Sequence, residues 1–556
     1  MREKYIELME KTLSAYSEDH ITRYFGDVKK GGLKEHGFPR LASDIGILIA
    51  HGRRHDLLPI FLDMMEFCCK SIPVVNAAND FSVREVVGCI CEIEESGVVD
   101  PERIARWKGY LSTIDPYTCY DIFTRFHEKN WAIFTCVSEL FRQNMGLCRA
   151  EEFIDTQLAS QFQWIDENGM YMDNSGNVHH HMNYDLVPRG LFVMLLNAGY
   201  RGKYYKKIDD ILRRAALLTL KMQSPNGEIA FGGRSNQFLY NEEWMIVIYE
   251  YEARRYVREG NFELSGVFKA AAKRALDVTE HWLSLYPIRH IKNRFPTETK
   301  FGCEDYAYFD KYMITVASNL HDAYLVCDDS IPTPEIKDHT PQIFMTSEHF
   351  HKLFVKAAGY GIEFDFNADP HYDASGLGRI QKEGAPSTAC MAVPCPKDPI
   401  FTVDLEKPIA LSFAPGIMCD GEWKFATDPD VGYKLVDSFK TDSTAKVNVL
   451  CRFDKECVST SYTVGADGIS IEVSGSEKIA YMLPAFYFDG EAYTDIIHDG
   501  CVLSVSYKGW VCRYTSSAPI IGTEKVGANR NGHYKQFITS DNESVSIHIE
   551  IFKSSN

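Results

Sequence analysis

The sequence predicts a two-part α+β chain: an N-terminal (α/α)6 toroid of about twelve helices over 1–330, then a C-terminal antiparallel β-sandwich over 341–556. Three observations carry this. Apolar residues recur at spacings of three and four up to about residue 330. The connections between those stretches alternate between short turns and long polar loops. From about 341 the apolar period changes to two. A chain of 556 residues also exceeds what one hydrophobic core supports, so two domains are expected, 1–330 and 341–556.

The helical stretches fall at roughly 2–18, 40–51, 56–70, 81–95, 101–113, 129–146, 150–162, 186–198, 204–222, 242–258, 262–284 and 307–325. Twelve helices in consecutive antiparallel pairs is the count of a six-pair toroid. Connections after the even-numbered helices are short turns, such as Gly52-Arg-Arg-His55, Gly97-Val-Val-Asp-Pro101, Gly199-Tyr-Arg-Gly202 and Gly260-Asn261. Those before them are long: Lys34 to Pro39, Pro73 to Asp80, Thr113 to Lys129, Gln163 to Asp185, Gln223 to Asn241 and Tyr286 to Tyr306. Ordinary helix–helix connections run about 2–8 residues. One rim is therefore plain, and the other carries every long loop at the N-termini of alternate, inner helices.

The strands read as alternating or β-branched runs: Lys352-Leu-Phe-Val-Lys356, Ile362-Glu-Phe-Asp-Phe366, Val447 to Phe453, Ser470-Ile-Glu-Val-Ser474 and Val545 to Ile551. The junction is expected near Asp328-Asp-Ser-Ile-Pro-Thr-Pro334, where two prolines break regular structure.

A net charge of −18 with no basic stripe argues against nucleic-acid or anionic-membrane partners. A few local Arg or Lys residues still suffice for the carboxylate of a uronic acid. The N-terminal run is charged throughout, and no apolar stretch is long enough to span a bilayer, so the protein is expected to be cytoplasmic. Sixteen cysteines without zinc-type spacing read as reduced, mostly buried thiols. The absence of a Rossmann fingerprint, a P-loop and a GxSxG elbow disfavours dinucleotide, nucleotide and α/β-hydrolase chemistry, and no cofactor is expected.

The long loops concentrate reactive side chains. Asp173, Asp185, Glu228, Glu242, Glu243, Glu304 and Asp305 sit in or beside them. Glycoside hydrolysis needs two carboxyl groups, one protonated and one ionised. Glu242 follows Asn241, a residue suited to N-capping, so the positive helix end is expected to lower its pKa and suit it as a base. Asp185 reads as a similar cap ahead of Pro188, which a first helical turn tolerates. Each acid alone is more simply a cap or an Arg partner, but three loops of one rim share the enrichment. Arg234 follows Gly232-Gly233, where the backbone can turn sharply, and its fork suits a carboxylate. Asn236, Gln237, Tyr240 and Asn241 suit sugar hydroxyls, and Trp131, Trp164, Tyr171, Phe238, Tyr306 and Tyr308 suit sugar faces. The triplet His179-His180-His181 reads as sugar contact or acid/base groups rather than a metal site, because consecutive residues seldom face one ion. Asn183, Tyr184 and a histidine also fit β-elimination at C5 of a uronic acid, with Asn or Arg neutralising the carboxylate and Tyr or His moving the proton.

Tyr184-Asp-Leu-Val-Pro188, Gln223 to Glu228, Gly232-Gly-Arg-Ser235, Asn241-Glu242 and Gly266 to Lys273 together resemble the β-glucuronidases of glycoside hydrolase family 154. Heparinase II/III-like polysaccharide lyases share that toroid-plus-sandwich architecture. The resemblance covers roughly residues 125–325. It implies an exo-acting enzyme on small glucuronides or oligosaccharides, with Glu242, Glu304, Asp185 and Glu228 as candidate carboxylates and Arg234 as a uronate clamp. His180, His181, Asn183, Tyr184, Gln237, Asn241 and Tyr306 complete the expected substrate contacts. The alternative is a uronate lyase using Tyr184 with His180 or His181 and Arg234 or Asn183. A non-catalytic glycan-binding protein is a third reading. A homo-oligomer is compatible with such a chain, although no motif demonstrates one.

Overall fold

The computed structural model describes residues 1–124, 129–173, 181–337, 339–454 and 456–554. Fifteen helices come first among them: α1 (Arg2–Leu13), α2 (Glu18–Gly31), α3 (Gly37–Ala50), α4 (Leu58–Ser71), α5 (Asn79–Ser96), α6 (Pro101–Leu111), α7 (Pro116–Cys119), α8 (Asp121–Thr124), α9 (Lys129–Asn144), α10 (Glu151–Gln161), α11 (His181–Asn197), α12 (Tyr205–Met222), α13 (Asn241–Arg258), α14 (Phe262–Ser284) and α15 (Phe309–Val326). The contacts close a ring. α3 packs on α5, α5 on α9, α9 on α11, α11 on α13, α13 on α15, and α15 back on α3. Outer helices lie against this ring, with α14 on α13 and α1 on α15. This is the (α/α)6 toroid.

Burial separates the two layers. Outer helix α12 buries one stripe, Ile208, Ile211, Leu212, Ala215, Ala216, Thr219 and Met222, as an amphipathic surface helix should. Inner helix α13 buries nearly every residue from Asn241 to Tyr256, charged ones included. Several of those charges are paired: Glu250, for example, accepts from Lys269 Nζ at 2.6 Å and from the Tyr5 hydroxyl at 2.8 Å. Local signals set several boundaries. Asp100 caps α6 by accepting from Glu102 N–H, with Pro101 at the first helical position. Asn261 caps α14 through Leu264 N–H. Small residues set the closest ring contacts; a Cβ on Gly190 of α11 would lie 2.2 Å from Trp244 of α13.

Two expectations are corrected. The first predicted helix ends at Leu13, and a separate α2 begins at Glu18, capped by Ser17 accepting from His20 N–H. The helix expected at 186–198 begins at His181. Pro188 therefore lies inside α11, where it cannot donate to the Tyr184 carbonyl, and Asp185 is a helical residue rather than a cap.

The helices end at Val326 and the first strand begins at Gln342. Among the described residues every strand pairing is antiparallel, in sheets of four, eight and five strands. Ala445–Phe453 alternates buried with less buried positions, as a strand with one face on a core requires. A continuous apolar cluster from Leu353 to Ile551 fills the space between the sheets. All sixteen cysteines are free thiols. Among the described residues no helix is long and apolar enough to cross a membrane.

Candidate active site

A cavity of about 340 Å³ opens at the loop-bearing rim of the toroid. All six inner helices bring their first turns to it: His36 and Arg40 at α3, Ala78 and Phe81 at α5, Asn130 and Trp131 at α9. Asn183 and Tyr184 come from α11, Tyr240 and Trp244 from α13, and Lys311 and Tyr312 from α15. Six positive helix ends therefore converge on one space. Arg40, Arg234 and Lys311 add formal positive charge, and Asp173 is the one carboxylate among the described lining residues. The combination favours an anion.

The loop from Gln223 to Tyr240 delivers Arg234. Gly232 and Gly233 have φ of 127° and 81°, and Ser235 and Gln237 follow at 56° and 67°, so the backbone turns as the glycine pair predicts. Arg234 Nε donates to the Tyr306 hydroxyl at 2.6 Å, and its guanidinium lies 4.4 Å from the centre of that ring. Ser235 Oγ lies 2.8 Å from the Tyr306 hydroxyl and 3.4 Å from that of Tyr184. The Asn183 amide is fixed at both ends. Its oxygen accepts from Asn241 Nδ2 at 2.9 Å and its nitrogen donates to the Tyr240 hydroxyl at 3.3 Å. The second amide hydrogen remains available for a ligand.

The structure thus brings Asn183, Tyr184, Arg234 and Tyr306 together, with Asn241 behind Asn183. The four candidate carboxylates lie elsewhere. Asp185 and Arg189 form a fully buried ion pair within α11, and Asp185 also accepts from Tyr171 N–H at 2.8 Å. Glu242 is fully buried, paired with Lys292 and accepting from Ile229 N–H at 3.2 Å. Burial holds its carboxyl above the ordinary range, and Lys292 does not overcome it, so the lowered value expected from the helix end is not found. Glu304 takes both guanidinium nitrogens of Arg530, at 2.9 and 2.7 Å, and Ser235 N–H at 2.8 Å. Burial alone would raise its pKa, but Arg530 outweighs it and holds Glu304 below the usual range. Glu228 and Gln237 line a second cavity. His181 packs its ring at 4.6 Å from that of His351, on the β side. His180 and His179 lie outside the described residues.

Sequence reasoning missed His36, Arg40, Lys311 and Tyr312 as wall residues. His36 and Lys311 are the informative pair. Burial, with Arg40 and Lys311 adding to it, pushes the His36 imidazole well below its ordinary pKa, so it is neutral at pH 7. Its Nδ1 is buried without a hydrogen-bond partner. Burial likewise lowers the Lys311 ammonium. His36 sits in the loop from Lys34 to Pro39, one of the six long connections, so loop alternation was the signal that could have found it.

No family model matches the sequence, and no curated protein matches it. Among solved structures the chain is similar to a heparan sulfate lyase HepC mutant from Pedobacter heparinus, at 8% identity over 93% of this chain and 77% of that one, with a TM-score of 0.47. It is similar to heparinase III at 10% identity, 85% and 77% coverage and a TM-score of 0.37. Chondroitinase AC lyase aligns at 11% identity over 100% of this chain and 83% of that one, with a TM-score of 0.38. Values of this size leave the reaction to be argued from the cavity.

Proposed function

We propose that the toroid cavity binds a uronic acid residue of a glycan and cleaves its 4-linked bond by β-elimination. The observation that carries this is the make-up of the cavity: six helix N-termini, Arg234 and Lys311 beside Asn183 and Tyr184, with one carboxylate among the described lining residues. Paired-carboxylate hydrolysis, the first expectation, needs two acids facing one space. Here Asp185 and Glu242 are buried in ion pairs outside the cavity lining, and Glu304 is clamped by Arg530.

The uronate carboxylate lies against the Asn183 amide and Arg234, which stabilise the charge that moves onto it when the C5 proton leaves. His36, neutral and with an open ring nitrogen, accepts that proton. The electron pair of the C5–H bond forms the C4–C5 double bond and the C4–O bond breaks. Tyr184, kept protonated because burial raises its pKa against the opposing charge of Arg234, donates to the departing oxygen. The products are a glycan with a free hydroxyl and a 4,5-unsaturated uronate that absorbs in the near ultraviolet.

Incubation with uronic-acid oligosaccharides and an aryl β-D-glucuronide, following both near-ultraviolet absorbance and free glucuronic acid, tests this. New absorbance is expected, lost about 10²–10⁴-fold in Tyr184→Phe and in His36→Ala with the fold intact. Free glucuronic acid without absorbance would replace elimination by the hydrolase reading, and binding without turnover by the glycan-binding reading.

A further inference from the structure

A second cavity, of about 310 Å³, lies between α14, the Gln223–Tyr240 loop and the β half. We propose that it is a binding site for an uncharged pyranose unit, separate from the toroid cavity and independent of the reaction assigned there.

Its walls are built before any ligand arrives. Asn226 donates to the Ala385 carbonyl at 3.0 Å and accepts from Gly384 N–H at 2.8 Å, which fixes the helical-half loop to the turn of the β half. Two half-buried indoles, Trp282 of α14 and Trp510 of the strand Trp510–Ser516, line the space from its two sides. Apolar sugar faces stack on such rings, while sugar edges need donors and acceptors. Those edges find Asn531, Glu228 and Ser387 in the same lining. Asn531 is 3% exposed and donates to the Lys292 carbonyl at 2.7 Å and to Gln237 Oε1 at 3.2 Å. Its own amide oxygen is buried with no hydrogen-bond partner, a vacancy that usually costs free energy and that a ligand hydroxyl fills.

Charge sets the class of sugar. Among the described lining residues there is no arginine, and the one lysine, Lys508, lies 3.8 Å from Asp489 Oδ2. Glu228 stays ionised: burial would raise it, but Lys292 and Arg379 hold it below the ordinary range. An acidic sugar would meet two carboxylates, Glu228 and Asp277, against one lysine, whereas a neutral pyranose can donate hydroxyls to Glu228 and Asn531. The two cavities thus differ in sign, and the Gln223–Tyr240 loop supplies a wall of each, Arg234 to one and Gln237 to the other.

The test is titration of the full chain with cellobiose, N,N′-diacetylchitobiose and maltose, followed by indole fluorescence and saturation-transfer NMR. At least one should bind, with affinity reduced tenfold or more in Trp282→Ala and in Trp510→Ala, and restored by Trp282→Tyr, which keeps an aromatic face. Both indoles are half-buried at the edges of the apolar clusters, and circular dichroism checks that each variant keeps the fold. Tyr184→Phe, in the toroid cavity, should leave this binding unchanged, so failure here is distinguishable from failure of the elimination mechanism. No saturation transfer from any of the three sugars at 10-fold molar excess or above, or binding indifferent to both tryptophan variants, overturns the proposal.

Discussion

Asp185→Asn separates a structural carboxylate from a catalytic one. Asp185 and Arg189 are both 0% exposed, on one face of α11 at spacing four. Arg189 donates to both carboxylate oxygens, through Nε at 2.9 Å and through its second terminal nitrogen, and its remaining nitrogen donates to Thr219 Oγ1 at 2.9 Å. The substitution preserves volume and still offers an oxygen to Tyr171 N–H, so no cavity contributes. What changes is that a guanidinium charge is left in the ring without its counter-charge. Removing one member of such a pair costs about 3–5 kcal/mol, against a total stability of roughly 5–15 kcal/mol. Urea unfolding at pH 7, followed by circular dichroism, should show the unfolding free energy reduced by that amount and the midpoint lowered accordingly. Turnover measured well below the variant's melting temperature should stay near that of the native chain. Adding Arg189→Met to Asp185→Asn should recover much of the loss, because the orphaned charge is removed with it. A variant as stable as the native chain yet inactive would refute this reasoning and return Asp185 to the catalytic candidates.

Two further outcomes follow from the geometry. Burial raises the Asp373 carboxyl from 3.8 to about 6, so the folded state holds this proton at pH values where the unfolded chain has lost it. The stability it contributes is complete below about pH 4 and lost as pH rises through 6, a change on the order of 3 kcal/mol. Asp373→Asn keeps an acceptor for Gly233 N–H and should flatten that part of the stability–pH curve relative to the native chain; parallel curves would contradict it. Gly190→Ala places a methyl 2.2 Å from Trp244 Cε3 where α11 and α13 meet, and overpacking of this kind should lower the unfolding free energy measured in urea by roughly 1–3 kcal/mol.

The toroid was legible because its signals are local. Gly97, Gly260-Asn261 and Asp100-Pro101 punctuate helices wherever they occur, and loop alternation needs only a count along the chain. The same alternation placed Asn183, Tyr184, Arg234 and Tyr306 on the loop-bearing rim, where they line the toroid cavity. The α1–α2 break was missed because residues 14–17 contain no glycine or proline, and the cap supplied by Ser17 is a weak signal next to a continuing apolar period. Of the acids, only the Asp185–Arg189 pair, at spacing four on one helix, has a local signature; Glu242 and Glu304 have none. Glu242 meets a lysine 50 positions away and Glu304 an arginine 226 positions away, so whether each carboxylate faces substrate or a counter-ion is decided by tertiary contacts that no spacing encodes.

Those distant partners also explain what the β half does for the site. Arg379 donates to the Ile229 carbonyl at 2.7 Å, Glu363 accepts from Phe231 N–H at 3.2 Å, and Asp373 accepts from Gly233 N–H at 2.7 Å. Three successive odd positions of the loop leading to Arg234 are thus held by side chains of the β half. Arg530, again from the β half, fixes Glu304, and Glu304 fixes Ser235 N–H on the far side of Arg234. A loop containing three glycines at positive φ, Gly227, Gly232 and Gly233, has little stiffness of its own. Clamped on both sides, it holds one cation at one place over the helix ends, in a protein whose net charge of −18 would otherwise repel an anionic ligand. The toroid supplies the converging dipoles, and the β half supplies the precision with which Arg234 meets them.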